Sequence, residues 1–140
     1  MIKYIWAYIA TLVVFLACDA VWLGRMGEIL YKPTLGGILL PAFKPIPALV
    51  FYLLYVVGVV VFAIKPAYAA GAWSTALVNG ALFGFFAYAT YDLSNMATLR
   101  NWTLQLTLTD MAWGTVVTGA SAAIGYAVSN TLPGLFKIGL

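Results

Sequence analysis

Four long apolar segments dominate this sequence and limit what it can fold into more than any other feature. They cover about residues 4–23, 48–64, 74–93 and 103–128. A helix needs about 20 apolar residues to cross a hydrocarbon layer about 30 Å thick, because each residue adds about 1.5 Å. The pattern predicts an all-α, integral membrane four-helix bundle with a long first loop, formed by residues 1–140 as a single domain.

The scarcity of charge supports a membrane location. Only 8% of the residues are charged and 64% are hydrophobic, whereas a soluble domain carries about 25% charged residues. The seven Lys and Arg residues are well separated, so the net charge of +3 forms no patch for a nucleic acid. We therefore expect membrane lipids as partners, and no nucleic acid.

The absence of His removes most metal and nucleophile chemistry. With no His and one Cys, the chain lacks the parts for zinc sites, haem ligation, iron–sulfur clusters and Ser-His-Asp triads. The carboxylates also lack a spacing typical of Mg²⁺ or Mn²⁺ ligands. We expect no metal and no cofactor, and the composition leaves open whether the protein is an enzyme.

Prolines and charges separate the apolar segments. Residues 24–47 hold four prolines, so they predict a loop of about 24 residues. Lys65-Pro66 is expected to close the second helix, Arg100–Trp102 to form a tight turn, and Pro133-Gly134 to begin a tail. Four crossings place both termini on one side, and four basic residues against three slightly favour a cytoplasmic first loop.

Three aspartates lie inside the predicted helices. A charged residue there costs about 2.5 to 3.5 kcal/mol on insertion scales, so each is a candidate for function. Asp19, Asp92 and Asp110 fall near the ends of three helices that face the same membrane side, within about 10 Å of its polar boundary. We expect the three carboxyl groups to converge within about 12 Å of one another.

Aromatic and polar residues accompany these acids. Asp19 and Asp110 are each followed three residues later by Trp, and Asp92 by Asn, so each pair shares a helical face. The alternative interpretation is that the acids only bridge helices, through Trp N–H, Tyr O–H or a charge pair with Arg100. The predicted ligand-binding residues are Asp19, Trp22, Tyr52, Tyr55, Tyr88, Asp92, Asn95, Arg100, Asp110 and Trp113.

Small residues at helical spacing predict close contacts between helices. The third segment contains Gly80-x-x-x-Gly84. From these positions we expect a homodimer or larger assembly joined through small-residue ridges. The fourth segment carries two such rows, Gly114, Thr118 and Ala122, and Ser121, Gly125 and Ser129.

Several strings around the polar residues resemble a bacterial family of predicted four-helix membrane proteins, catalogued as domain of unknown function number twenty-one seventy-seven. The resemblance covers nearly the whole chain except the tail after Val128. It implies the topology and a bacterial inner-membrane, multi-pass location, and it carries no catalytic roles. The strings are Ala10–Leu16, Asp19–Gly24, Phe51–Tyr55, Tyr91–Asn95, Ala97–Leu99 and Asp110–Thr115.

Three functions are compatible with these features. The first is binding of, or action on, a lipid-soluble or polar-headed small molecule or a cation at a three-Asp pocket near one leaflet. The second is a small dimeric transporter, although its acids would lie near one face and not at the midplane. The third is an accessory subunit that packs on a larger membrane complex through the small-residue ridges.

Overall fold

The computed structural model describes the backbone of residues 1–138 and the side chains of residues 1–132. Within this part the fold is all-helical and contains no strand. The helices are α1 (Ile2–Leu35), α2 (Pro45–Ala70), α3 (Trp73–Thr98) and α4 (Leu104–Ile138).

Three helical segments of the described chain are long and apolar enough to cross a membrane: Ile2–Leu35, Pro45–Ala70 and Leu104–Leu132. Helix α3 has 26 residues, but it is less apolar and is not among them. The outward faces of all four helices are nevertheless apolar, since each exposes large hydrophobic side chains. Examples are Val13 in α1, Leu54 in α2, Phe86 in α3 and Val116 in α4, each at least 60% exposed.

Helix α1 continues well beyond the predicted start of the first loop. The α-helix Ile2–Met26 passes into a π-helical turn, Gly27–Tyr31, and then into a short α-helical turn, Lys32–Leu35. The predicted 24-residue loop is therefore wrong, because helix occupies its first half and the next helix already begins at Pro45.

Helix α2 also continues past a proline. A π-helical turn, Val60–Ile64, precedes Lys65-Pro66, and the helix continues to Ala70 instead of closing at Lys65. Proline normally ends a helix because it lacks an N–H and its ring meets the carbonyl four residues earlier. In the π turn the Lys65 N–H donates to the Val60 carbonyl, five residues back, so this turn is wider than an α turn. The wider turn accommodates the proline without ending the helix.

The last two helices also exceed their predicted bounds. Helix α3 ends at Thr98, not near residue 93, and α4 extends to Ile138, through the predicted tail. Helix α2 ends one residue before Gly71, whose φ of 65° lies in the left-handed region that favours glycine.

The small-residue ridges pack helices of this one chain together. A Cβ at Gly84 of α3 would overlap the carbonyl oxygen of Gly114 in α4, and a Cβ at Gly80 would lie 2.7 Å from the Ala122 Cβ. Gly125 of α4 is pressed against Thr11 of α1 in the same way. The ridges are therefore covered within the chain. They are therefore not available to join a homodimer or to dock on a larger complex. A homodimer stays a prediction, but it would have to form through another surface.

Candidate functional site

A cavity of about 620 Å³ opens between all four helices, beside the first interhelical connection. Its polar wall is formed by Asp19 and Asp110, which are each 7% exposed, and Lys32 stands at its edge. The rest of the wall is largely aromatic. The aromatic side chains are Trp22, Tyr31, Phe51, Tyr55, Tyr88, Tyr91 and Trp102.

Asp19 joins three helices. One of its carboxylate oxygens accepts a hydrogen bond from the Tyr52 hydroxyl of α2, and the other accepts one from the Trp113 indole N–H of α4 at 3.2 Å. The sequence places Asp19 in α1, with its side chain on the buried face that also carries Phe15 and Thr11. Asp19 therefore has two donors, and it still reaches the cavity wall.

Asp110 is bound by α1. Its carboxylate accepts a hydrogen bond from the Tyr31 hydroxyl, and that hydroxyl accepts one from the Trp22 indole N–H at 2.9 Å. The Trp22 ring is stacked on the Trp113 ring, with ring centroids 4.4 Å apart and an interplanar angle of 4°. The two tryptophans thus connect the surroundings of Asp19 with those of Asp110.

Asp92 lies behind Asp110, in the interface between α3 and α4. Its side chain is completely buried, and neither carboxyl oxygen accepts a hydrogen bond from an N–H or O–H of the described residues. Asp92 faces Asp110 across this interface, because Tyr88, one turn before Asp92, packs on Gly114, one turn after Asp110. The two carboxyls interact with each other there. The structure therefore brings the three acids together in one region, with two of them on the cavity wall and one behind it.

Two tyrosines complete the inner end of the cavity. The Tyr55 hydroxyl is 2.9 Å from the Thr118 hydroxyl, and the Tyr55 ring meets Tyr88 edge to face with centroids 6.4 Å apart. The Tyr88 ring packs directly on Gly114, where any side chain would overlap it. Among the described residues no hydrogen-bond partner satisfies the Tyr88 hydroxyl, so it remains available at the cavity.

The ten predicted residues therefore separate into three groups. Three residues contact Asp19 or Asp110 without lining the cavity: Tyr52, Trp113 and Asp92. Two more residues lie away from the cavity wall: Asn95 and Arg100. Arg100 is exposed in the turn between α3 and α4, and among the described residues it forms no ion pair with an acid. The alternative in which Arg100 pairs with Asp110 is therefore wrong, because Asp110 faces inward to Tyr31. The cavity wall holds the other five, Asp19, Trp22, Tyr55, Tyr88 and Asp110.

This placement predicts that Arg100→Gln leaves the stability nearly unchanged. An exposed side chain without an ion pair loses little on truncation, so we expect a change in the free energy of unfolding within about 0.5 kcal/mol. Thermal unfolding of the purified variant in detergent measures this. A loss of several kcal/mol would show that Arg100 compensates a buried carboxylate after all.

Sequence reasoning missed Tyr31, the hydrogen-bond donor to Asp110. Tyr31 falls in the segment predicted to be a loop, and no helical spacing relates it to the acids. Sequence reasoning also missed Tyr91 and Trp102, although their rings contact each other edge to face beside the cavity. An aromatic residue next to Asp92 and another at the turn after α3 were the only available signals.

The described residues contain no group of three or more Cys, Asp or Glu side chains placed to hold a metal ion. The cavity wall carries two carboxylates surrounded by aromatic rings. Carboxylates attract cations by charge, and aromatic rings attract them by their negative faces.

Long apolar helices, apolar outward faces and internal acids together define a helical membrane protein. The chain belongs to the family described as predicted membrane protein (DUF2177), whose profile matches residues 4–127. The match includes all three aspartates and confirms the resemblance seen in the sequence. No curated protein and no solved structure matches the chain.

Proposed function

We propose that the protein is a four-helix, multi-pass protein of a bacterial inner membrane that binds a lipid-soluble organic cation in the cavity at Asp19 and Asp110. The observation that carries the proposal is the composition of the cavity wall: two acids, each 7% exposed, among seven aromatic side chains. A charged group is costly at membrane depth unless a partner compensates it, and a cationic ligand supplies such a partner.

The aromatic side chains favour an organic cation over a bare metal ion. Trp and Tyr faces attract cations most strongly when water is excluded, which is the usual basis for recognising alkylammonium groups. The volume of about 620 Å³ also lies within the range of small-molecule pockets, about 300 to 1,000 Å³. A ligand with an apolar body can reach such a cavity from the bilayer.

Four crossings are supported by helix α3. Its 26 residues span about 39 Å at 1.5 Å each, which is enough to cross a bilayer. Only short connections join α3 to α2 and to α4, so α3 runs antiparallel to both of these neighbouring spans. Its outward row of Val78, Leu82 and Phe86 is suited to lipid contact, and its acidic residue Asp92 is turned inward.

Binding of tetraphenylphosphonium tests the proposal. The probe is a lipophilic cation that does not titrate, and tetraphenylborate is an anion of the same shape. With the full chain in lipid nanodiscs, equilibrium dialysis is expected to show saturable binding of the cation. The anion is expected to show no saturable binding. Asp110→Asn should weaken cation binding at least about tenfold, the equivalent of about 1.4 kcal/mol for a lost charge-assisted contact.

Arg100→Gln is the control, because it changes one charge outside the cavity. Arg100 is exposed in the turn between α3 and α4, and among the described residues it forms no ion pair. Its substitution should leave the affinity within about twofold. Equal binding of cation and anion, or an affinity of Asp110→Asn equal to that of the original protein, would overturn the proposal.

A further inference from the structure

Asp92 is the most unusual polar group in the described part of the chain. It is completely buried, and neither carboxyl oxygen has an N–H or O–H donor. An unpaired ionised carboxylate in such a position is strongly unfavourable. Buried polar groups normally have partners, so this one requires an explanation.

The neighbouring Asp110 supplies the explanation. The contact of Tyr88 with Gly114 sets Asp92 opposite Asp110 across the α3–α4 interface, and two ionised carboxylates have no proton with which to form a hydrogen bond. One proton between them satisfies both groups: the Asp92 O–H donates to Asp110, which already accepts the Tyr31 hydroxyl. Like charges this close cannot both be ionised without a compensating cation.

No cationic side chain takes the place of that proton. Among the described residues, no Lys or Arg pairs with either acid, and the one ion pair joins Lys32 to Glu28. Asp19 is occupied by its own two donors. The titratable groups that face the acid pair and the cavity are Asp19 and Tyr31 from α1, Tyr52 and Tyr55 from α2, and Tyr88 and Tyr91 from α3, with Lys32 at the edge.

We propose that Asp92 and Asp110 hold one proton between them, and that a cation bound at Asp110 from the cavity displaces this proton. The inference rests on the proposed function and specifies how its site is regulated. The O–H bond on the acid pair breaks, the proton leaves to water through the cavity, and the cation takes over the compensation of the second carboxylate. No electron transfer and no further reactant are involved.

The inference predicts that cation affinity rises with pH. Displacement of one proton strengthens binding by up to about tenfold for each pH unit across the range in which the pair loses that proton. Tetraphenylphosphonium keeps its charge at every pH, so the change reports on the protein. Calorimetric titration of the unaltered protein in two buffers of different ionisation enthalpy should count close to one proton released per cation bound.

Asp92→Asn separates this coupling from binding itself. The side-chain amide that this substitution introduces would donate permanently to Asp110, as the protonated acid does, but it carries no proton that can leave. We expect the variant to bind tetraphenylphosphonium and to lose both the pH dependence and the proton release. Arg100→Gln should keep both, as the control.

The outcomes distinguish the two proposals. Absence of saturable cation binding at any pH contradicts the proposed function itself. Binding by the unaltered protein that is independent of pH, with no proton released, overturns the proton coupling and leaves the binding function standing. Binding by Asp92→Asn that keeps the original pH dependence also overturns the coupling, because another group, such as Asp19, would then carry the proton.

Discussion

Gly84→Ala is expected to lower the free energy of unfolding by about 3 kcal/mol. The added Cβ would overlap the Gly114 carbonyl oxygen and lie 2.6 Å from the Thr118 hydroxyl oxygen. The first of these is backbone, so it cannot rotate away, and α3 and α4 must separate. Overpacking costs about 1 to 3 kcal/mol, and a rigid backbone contact lies at the upper end of this range. Thermal unfolding in detergent, followed by circular dichroism, measures the loss.

Gly24→Ala is the matched control for this substitution. Gly24 also lies in a helix, α1, but no atom comes within 4 Å of the position of a Cβ there. Alanine is the better helix former by up to about 1 kcal/mol, so this variant should be as stable as the unaltered protein or slightly more stable. If both variants unfold at the same temperature, the close α3–α4 contact is incorrect.

The membrane character of the chain could be predicted from the sequence because it depends only on long apolar runs and few charges. The helix ends could not. Pro33 and Pro66 indicated chain breaks, but a π turn before each proline lets the helix continue. A π turn has no sequence signature comparable with a proline or a glycine cap, and so the first loop was overestimated.

The convergence of the three aspartates could be predicted from their similar depth in the membrane, because a carboxylate that faces lipid is costly. The two donors to Asp19, Tyr52 and Trp113, were among the predicted residues. The donor to Asp110 was not, because it depends on three-dimensional packing. Tyr31 reaches Asp110 only through the continued α1 helix, and Arg100 is turned outward although it lies close in sequence. Glycine spacing likewise indicated close packing, but spacing does not say whether the facing helix belongs to the same chain.

Asp19→Ala is expected to destabilise the fold by about 2 to 4 kcal/mol. The substitution leaves the Tyr52 hydroxyl and the Trp113 indole N–H without their acceptor. A buried donor that loses its partner costs about 1 to 3 kcal/mol, and here two donors from two helices are affected. Asp19→Asn keeps one carbonyl acceptor and should lose less. Denaturation in mixed micelles gives the free energies of unfolding.

A double-mutant cycle with Tyr52→Phe then assigns the loss to this contact. In the original protein, Tyr52→Phe removes a donor from a carboxylate and should cost about 1.5 kcal/mol or more. In the Asp19→Ala background it removes an unsatisfied donor, so it should cost little or restore stability. The coupling energy should reach at least about 1 kcal/mol, because the two side chains are in direct contact. Glu28→Ala, which breaks an exposed ion pair on the same helix, should change stability by less than about 1 kcal/mol. Additive effects of Asp19→Ala and Tyr52→Phe would mean that the carboxylate does not hold α1 against α2.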